Sequence, residues 1–140
     1  MSKMIFVNLP VVDLGVAMNF YKALSFTNNP HFSDDKAACM FWSEVINVML
    51  LTQTKWRQFT SRPIPPTSSS EVMLALSIDS RAAVDAANAA AAENGGHADI
   101  NPSQDLGFMY NRNLSDPDGH VWEDIWMDPA AIPPPSGLTH

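Results

Sequence analysis

The same order of apolar patterns occurs twice along this chain, and that doubling constrains its fold more than any single motif. MIFVNLPVV (4–12) reads as a strand by its β-branched and aromatic content. Asp13 can cap a helix over 14–25, which sets Val16, Phe20 and Leu24 on one stripe beside Ala17 and Tyr21. Asn28, Asn29 and Pro30 end it, and short strands are expected near 31–34, 37–43 and 46–52, with a tight turn at Ser43-Glu44. The order then restarts. EVMLALSI (71–78) is a strand, Asp79 or Ser80 caps an alanine-rich helix over 81–94, and Gly95-Gly96 stops it. Strands near 97–100, 107–114 and 120–127 follow, the last preceded by Asp116-Pro117-Asp118-Gly119, a type I turn signal. A strand, a helix and three strands, twice over, predict an α+β fold of two βαβββ units curled around a shared concave pocket. Leu9 and Leu76 hold matching places, Val48 matches Val121, and Leu50 matches Glu123.

Residues 53–70 (QTKWRQFTSRPIPPTSSS) break the pattern with three prolines and a Ser/Thr run, and form a linker or a lid. Trp56 and Phe59 suggest that its first part packs as a short helix. A length of 140 residues suits one domain, 1–128, with unit one at about 4–52 and unit two at about 71–127. A Pro-rich tail, 129–140, is expected to be irregular.

Composition removes several classes of function. A net charge of −7 lacks the basic footprint that nucleic acid or an anionic membrane requires. No apolar run approaches the roughly 20 residues of a membrane span, and the N-terminus lacks a signal-peptide pattern, so a cytoplasmic protein is expected. The single cysteine, Cys39, lies in an apolar stretch and reads as a small buried hydrophobe. No HxxxH or HExxH spacing occurs. His31 and His97 read as rim or strand-surface residues, His120 as a hairpin-end residue, and His140 is terminal.

Two segments together carry a family likeness. FVNLPVVDLGVAMNFYKALSF near the start and DPDGHVWEDIWMDP near the end resemble the vicinal oxygen chelate superfamily, which joins glyoxalases, bleomycin-resistance proteins and extradiol dioxygenases. The resemblance covers about 4–128. It implies a ligand on the concave faces of the βαβββ units, a homodimer, and, in the enzymes, one divalent metal held by residues on the first and last strands of each unit.

Residue by residue, that implied metal site is poorly supplied. The position seven before Asp13 is Phe6, its equivalent in unit two is Met73, and the last strands offer Leu50 and Glu123. Glu123 is the one matching ligand; phenyl and aliphatic groups donate nothing, and a thioether is a poor donor to a hard ion. No cofactor is therefore expected, with a divalent metal as the less favoured case. Strand alternation places Asn8 beside Phe6 and leaves Glu123 as a lone acid among apolar residues, either a candidate base or anchor or an inactive relic. Tyr110 and Arg112 share a face of the penultimate strand, where Arg112 would either clamp an anionic group or form a surface ion pair. Trp122 and Trp126 alternate away from Glu123, towards packing on the convex face or a dimer contact. The expected function is binding of a small, largely apolar molecule without the family metal. The alternatives are a metal-dependent lyase (lactoylglutathione-lyase-like) or dioxygenase with displaced ligands, and an interaction module with no ligand.

Overall fold

The computed structural model describes residues 2–131. The expected Pro-rich tail beyond Ala131, and His140 with it, lies outside the described residues. Unit one consists of β1 (Ile5–Val11), α1 (Leu14–Ala23), β2 (Thr27–Asn29), β3 (Ala37–Phe41) and β4 (Ile46–Thr52). A linking helix, α2 (Gln53–Phe59), follows directly. Unit two consists of β5 (Met73–Ser77), α3 (Arg81–Glu93), β6 (His97–Ala98), a short added strand β7 (Gln104–Asp105), β8 (Met109–Ser115) and β9 (Val121–Met127). The first sheet runs β1-β4-β3-β2 and the second β5-β9-β8-β6, with β7 paired to β8. In each, the first and last strands of the unit are parallel neighbours, so the doubled order read from the sequence is the doubled topology of the chain.

Local chemistry sets the boundaries. The Asp13 and Ser80 side chains accept from the Val16 and Ala83 amides and cap α1 and α3, and Thr52 does the same for α2 through Lys55. Between β3 and β4, the Ser43 hydroxyl accepts from the Val45 and Ile46 amides and organises the expected turn. The strand expected near 31–34 lies earlier, at Thr27–Asn29. Asn29 caps a 3-10 turn over Pro30–Phe32, because proline at that turn's first position cannot donate to a ladder. Asp116-Pro117-Asp118-Gly119 forms its turn, with the Gly119 amide donating to the Asp116 carbonyl.

One core joins both units. Leu9, Val11, Val48 and Leu50 of the first sheet pack in a single cluster with Leu76, Leu114 and Trp122 of the second. Phe20 and Tyr21 of α1 lie between them and are wholly buried. Tyr21 stacks edge-on against Phe20, Phe26 and Trp122. Its hydroxyl donates to Asp116 Oδ2 at 2.6 Å and accepts from Trp122 Nε1 at 3.0 Å, so a side chain of unit one closes a buried polar chain in unit two. Burial, and then the Asp116 carboxylate, push the Tyr21 phenol well above its usual range. Gly96 lets α1 come this close: a Cβ there would lie 2.2 Å from the Ser115 carbonyl oxygen and 2.5 Å from the Phe20 ring.

Candidate functional site

α1 and α3 each cover one face of their sheet. On β1, alternation sends Val7, Leu9 and Val11 into the core and Phe6, Asn8 and Pro10 to the face away from α1. Phe6 is 51% exposed there. In the parallel register Phe6 stands beside Asn47, Asn8 beside Met49, and Pro10 beside Leu51. Met49 therefore shares the face of Asn8, whereas Leu50 points to the helices and is fully buried in the core. In unit two Met73 stands beside Val121 and Ala75 beside Glu123. The residue of β4 that corresponds to Glu123 is thus Met49, and the expected match of Leu50 to Glu123 was slipped by one residue.

With that correction, the four positions that the family resemblance implies for a metal are Phe6, Met49, Met73 and Glu123. A phenyl ring, two thioethers and one carboxylate do not fit a hard divalent ion. Among the described residues, no group of three or more His, Cys, Asp or Glu side chains could hold a metal ion. Glu123 itself is half-buried between Ala75 and Asn113. The Asn113 amide is engaged with the backbone of Asn101, and no hydrogen bond or ion pair among the described residues reaches Glu123.

Tyr110 and Arg112 lie on the opposite, helix-covered face of the second sheet, away from Glu123, so they do not join it in one pocket. The Tyr110 hydroxyl donates to Asp85 of α3 at 2.6 Å. Arg112 donates to Asp85 at 2.9 Å and to Asp99 at 2.7 Å. These bonds hold the guanidinium pKa above its ordinary value and the Asp85 and Asp99 carboxyls below theirs. Arg81 sits against the Tyr110 and Trp126 rings at 5.1 and 5.0 Å and forks onto Asp105, whose carboxyl it holds down at about 2. This is the surface ion-pair alternative for Arg112, and it places Trp126 on the helix side.

A partly open space lies instead at the seam where the two units meet. A cleft of about 170 Å³ is bounded by Asn8, Trp56, Val72, Leu74, His120 and Val121. A second cleft, of about 330 Å³, adjoins it under Pro65-Pro66-Thr67 and shares Pro10, Pro65, Ser69, Gly119 and His120 with the first. The 53–70 segment therefore contributes to both clefts, through α2 and through its proline-rich stretch. Two long-range contacts fix the floor: the Val12 amide donates to Asp118 Oδ1 at 2.9 Å, and His120 Nε2 lies 2.8 Å from the Pro10 carbonyl oxygen that accepts from it. The turn carries the proline stretch directly. A Cβ on Gly119 would fall 2.3 Å from the Thr67 carbonyl oxygen, and its φ of +86° is itself one that favours glycine.

One residue of the lining carries an unsatisfied polar atom. Trp56 Nε1 is buried with no acceptor among the described residues, in a site whose lining mixes apolar side chains with Asn8, Ser69, Ser70, Glu71 and His120. Glu123 lies one strand repeat beyond Val121 on the same face of β9, about 7 Å along the strand. Trp56 and His120 were not foreseen as pocket residues. The signal for Trp56 was present, as an indole in a long proline-rich connection.

No family model and no curated protein matches the chain in sequence. Solved structures do match it in shape. The hypothetical protein SA1046 from S. aureus superposes with a TM-score of 0.75 at 25% identity, over 90% of this chain and 95% of that one. A glyoxalase/bleomycin resistance protein/dioxygenase family enzyme from Burkholderia phytofirmans PsJN superposes with a TM-score of 0.73 at 16% identity, over 90% and 99%. By fold, then, this chain has the architecture seen in glyoxalase/bleomycin-resistance/dioxygenase-type proteins. A fosfomycin resistance protein of the same fold, FosX from Listeria monocytogenes, matches with a TM-score of 0.63 at 15% identity, over 90% and 91%. At these identities the likeness defines architecture and not chemistry.

Proposed function

We propose that this protein binds a small, largely apolar molecule with one hydrogen-bond acceptor, without the divalent metal that enzymes of this fold use. The observation that carries the reading is the donor set: Phe6, Met49, Met73 and Glu123 stand where a metal would need hard ligands. The seam cleft supplies the alternative. A cavity near 150 Å³ is large enough for benzene, so about 170 Å³ accommodates a ligand of roughly that size. The apolar part of its walls rewards burial, and the indole N–H of Trp56, a lining residue, has no acceptor among the described residues. Asn8, Ser69, Ser70, Glu71 and His120 are the further polar points, and a longer ligand would extend towards Glu123.

The test has two arms. Elemental analysis of protein purified without chelator should find no stoichiometric zinc, nickel or iron; one equivalent of any of these overturns the metal-free reading. Acetophenone and ethylbenzene are then titrated while tryptophan fluorescence is followed. They have similar shapes, but only the ketone has an acceptor. Acetophenone should bind more tightly by about fivefold, the effect of one hydrogen bond, and Trp56→Phe should erase the difference. Equal binding of the two by the wild-type chain overturns the role of Trp56.

A further inference from the structure

The helix side of the second sheet holds an acid that the seam reading does not use. Asp124, on β9 between Leu76 and Arg112, is only 4% exposed. Among the described residues, no hydrogen bond and no ion pair reaches its carboxylate. The guanidinium of its cross-strand neighbour Arg112 is occupied by Asp85 and Asp99. Asp124 lines a void of about 30 Å³ whose other walls include Leu24, Phe26, Trp42, Leu114 and Trp122. A buried carboxylate with no partner is costly, and such groups normally have a counter-charge or donor.

The void is small but usable. About 10–15 Å³ suffices for one water-sized group, so about 30 Å³ admits an ammonium head and excludes one wrapped in methyl groups. An open cleft of about 340 Å³ lies beside it, sharing Leu24, Trp42, Ile78 and Ala87. Its walls are the small side chains of Ala83, Ala86 and Ala87 on α3 together with the end of α1, enough for an alkyl chain.

We propose that this void and cleft form a second ligand site, separate from the seam, that takes a primary alkylammonium: the –NH3+ head on Asp124 and the chain along the alanines of α3. Asp79 at the cleft mouth and the net charge of −7 favour approach of a cation. Burial alone pushes the Asp124 carboxyl up to about 6, and a bound ammonium would supply the missing counter-charge and bring it back down.

Calorimetric titration with butylammonium chloride and with tetramethylammonium chloride, in amine-free buffer near neutral pH, tests this. Butylammonium should bind saturably and tetramethylammonium should not, and Asp124→Asn should weaken butylammonium by about tenfold or more, as loss of a charged hydrogen-bond partner does. Should Asp124→Asn not fold, Ala86→Leu decides, because it fills the cleft on an exposed helix position and leaves the carboxylate in place. Loss of binding in that variant supports the site. Absence of saturable binding, equal binding of tetramethylammonium, or binding unchanged by the variant that folds overturns it.

Discussion

Ionising Asp124 in the folded chain should work against folding, and the size of the effect follows from its surroundings. Desolvation is the cause that lifts its carboxyl from 3.8 to about 6. The unfolded chain therefore releases this proton first. The stability that the protonated group contributes is fully present below about 3.8 and is lost as pH rises through about 6. At about 1.36 kcal/mol per tenfold change in affinity for the proton, the full loss is about 3 kcal/mol; about 1 kcal/mol of it is gone by about pH 4.5 and the remainder by about pH 7.5. Asp124→Asn keeps the shape and cannot ionise. Urea unfolding of both chains at those two pH values, in amine-free buffer, should show the variant gaining about 2 kcal/mol relative to wild type between them. Taking the difference between the chains removes contributions common to both. Asp116, also raised by burial, acts in the same direction, whereas Asp85, Asp99 and Asp105, held low chiefly by bonds from Tyr110, Arg112 and Arg81, act in the opposite one. A stability difference that stays constant with pH would refute the reasoning, because Asp124 would then titrate alike in both states.

Three further outcomes are expected. Tyr21→Phe removes a hydroxyl that accepts from the Trp122 indole and donates to buried Asp116, so denaturant unfolding should show a loss of about 1–3 kcal/mol; a loss under the lower bound would mean that water replaces the hydroxyl. Gly119→Ala sets a Cβ against the Thr67 backbone at a positive φ, and should free the proline stretch over the seam. Limited proteolysis within 60–70 should then accelerate, and an unchanged cleavage rate would contradict the packing described. Ile5, Phe6, Val72 and Met73 leave apolar surface more than half exposed at the starts of β1 and β5. The chain is expected to self-associate as a dimer through this surface. Analytical ultracentrifugation should show Met73→Asp shifted towards monomer, and a wild-type monomer at every concentration would refute the dimer.

Much of the architecture is legible because the two periodicities are local. Phe20 and Tyr21 fall on a helical stripe, Asp13 and Ser80 are caps, and Asp116 to Gly119 is a turn whatever surrounds it. The misplaced second strand shows the limit. Asn28, Asn29 and Pro30 read as a terminator, but Thr27–Asn29 pairs with β3 because the ladder partner, 39–41, lies well along the chain and is invisible to a local window.

Site residues demand register, and register is the least local property of a sheet. In a strand of period two, a slip of one residue exchanges the faces completely. Matching Leu50 to Glu123 sent a core residue to the open face, and the parallel pairing of Asn8 with Met49 corrects it. The argument against the metal survives because Leu50 and Met49 are equally unsuited to a hard cation. That robustness is a property of β4, whose run INVMLL offers no hard ligand to either face beyond Asn47. The same slip hid nothing about Trp56 or Asp124, since neither is announced by spacing. Trp56 matters through an indole N–H without an acceptor, and Asp124 through a carboxylate without a donor. Each deficiency arises only when distant segments close around the group. Trp56 and Asp124 differ in polarity, one a donor at the seam and the other an acid behind the second sheet. They therefore call for ligands of different chemistry, a neutral acceptor at Trp56 and a cation at Asp124, so loss of one by mutation should leave binding at the other intact.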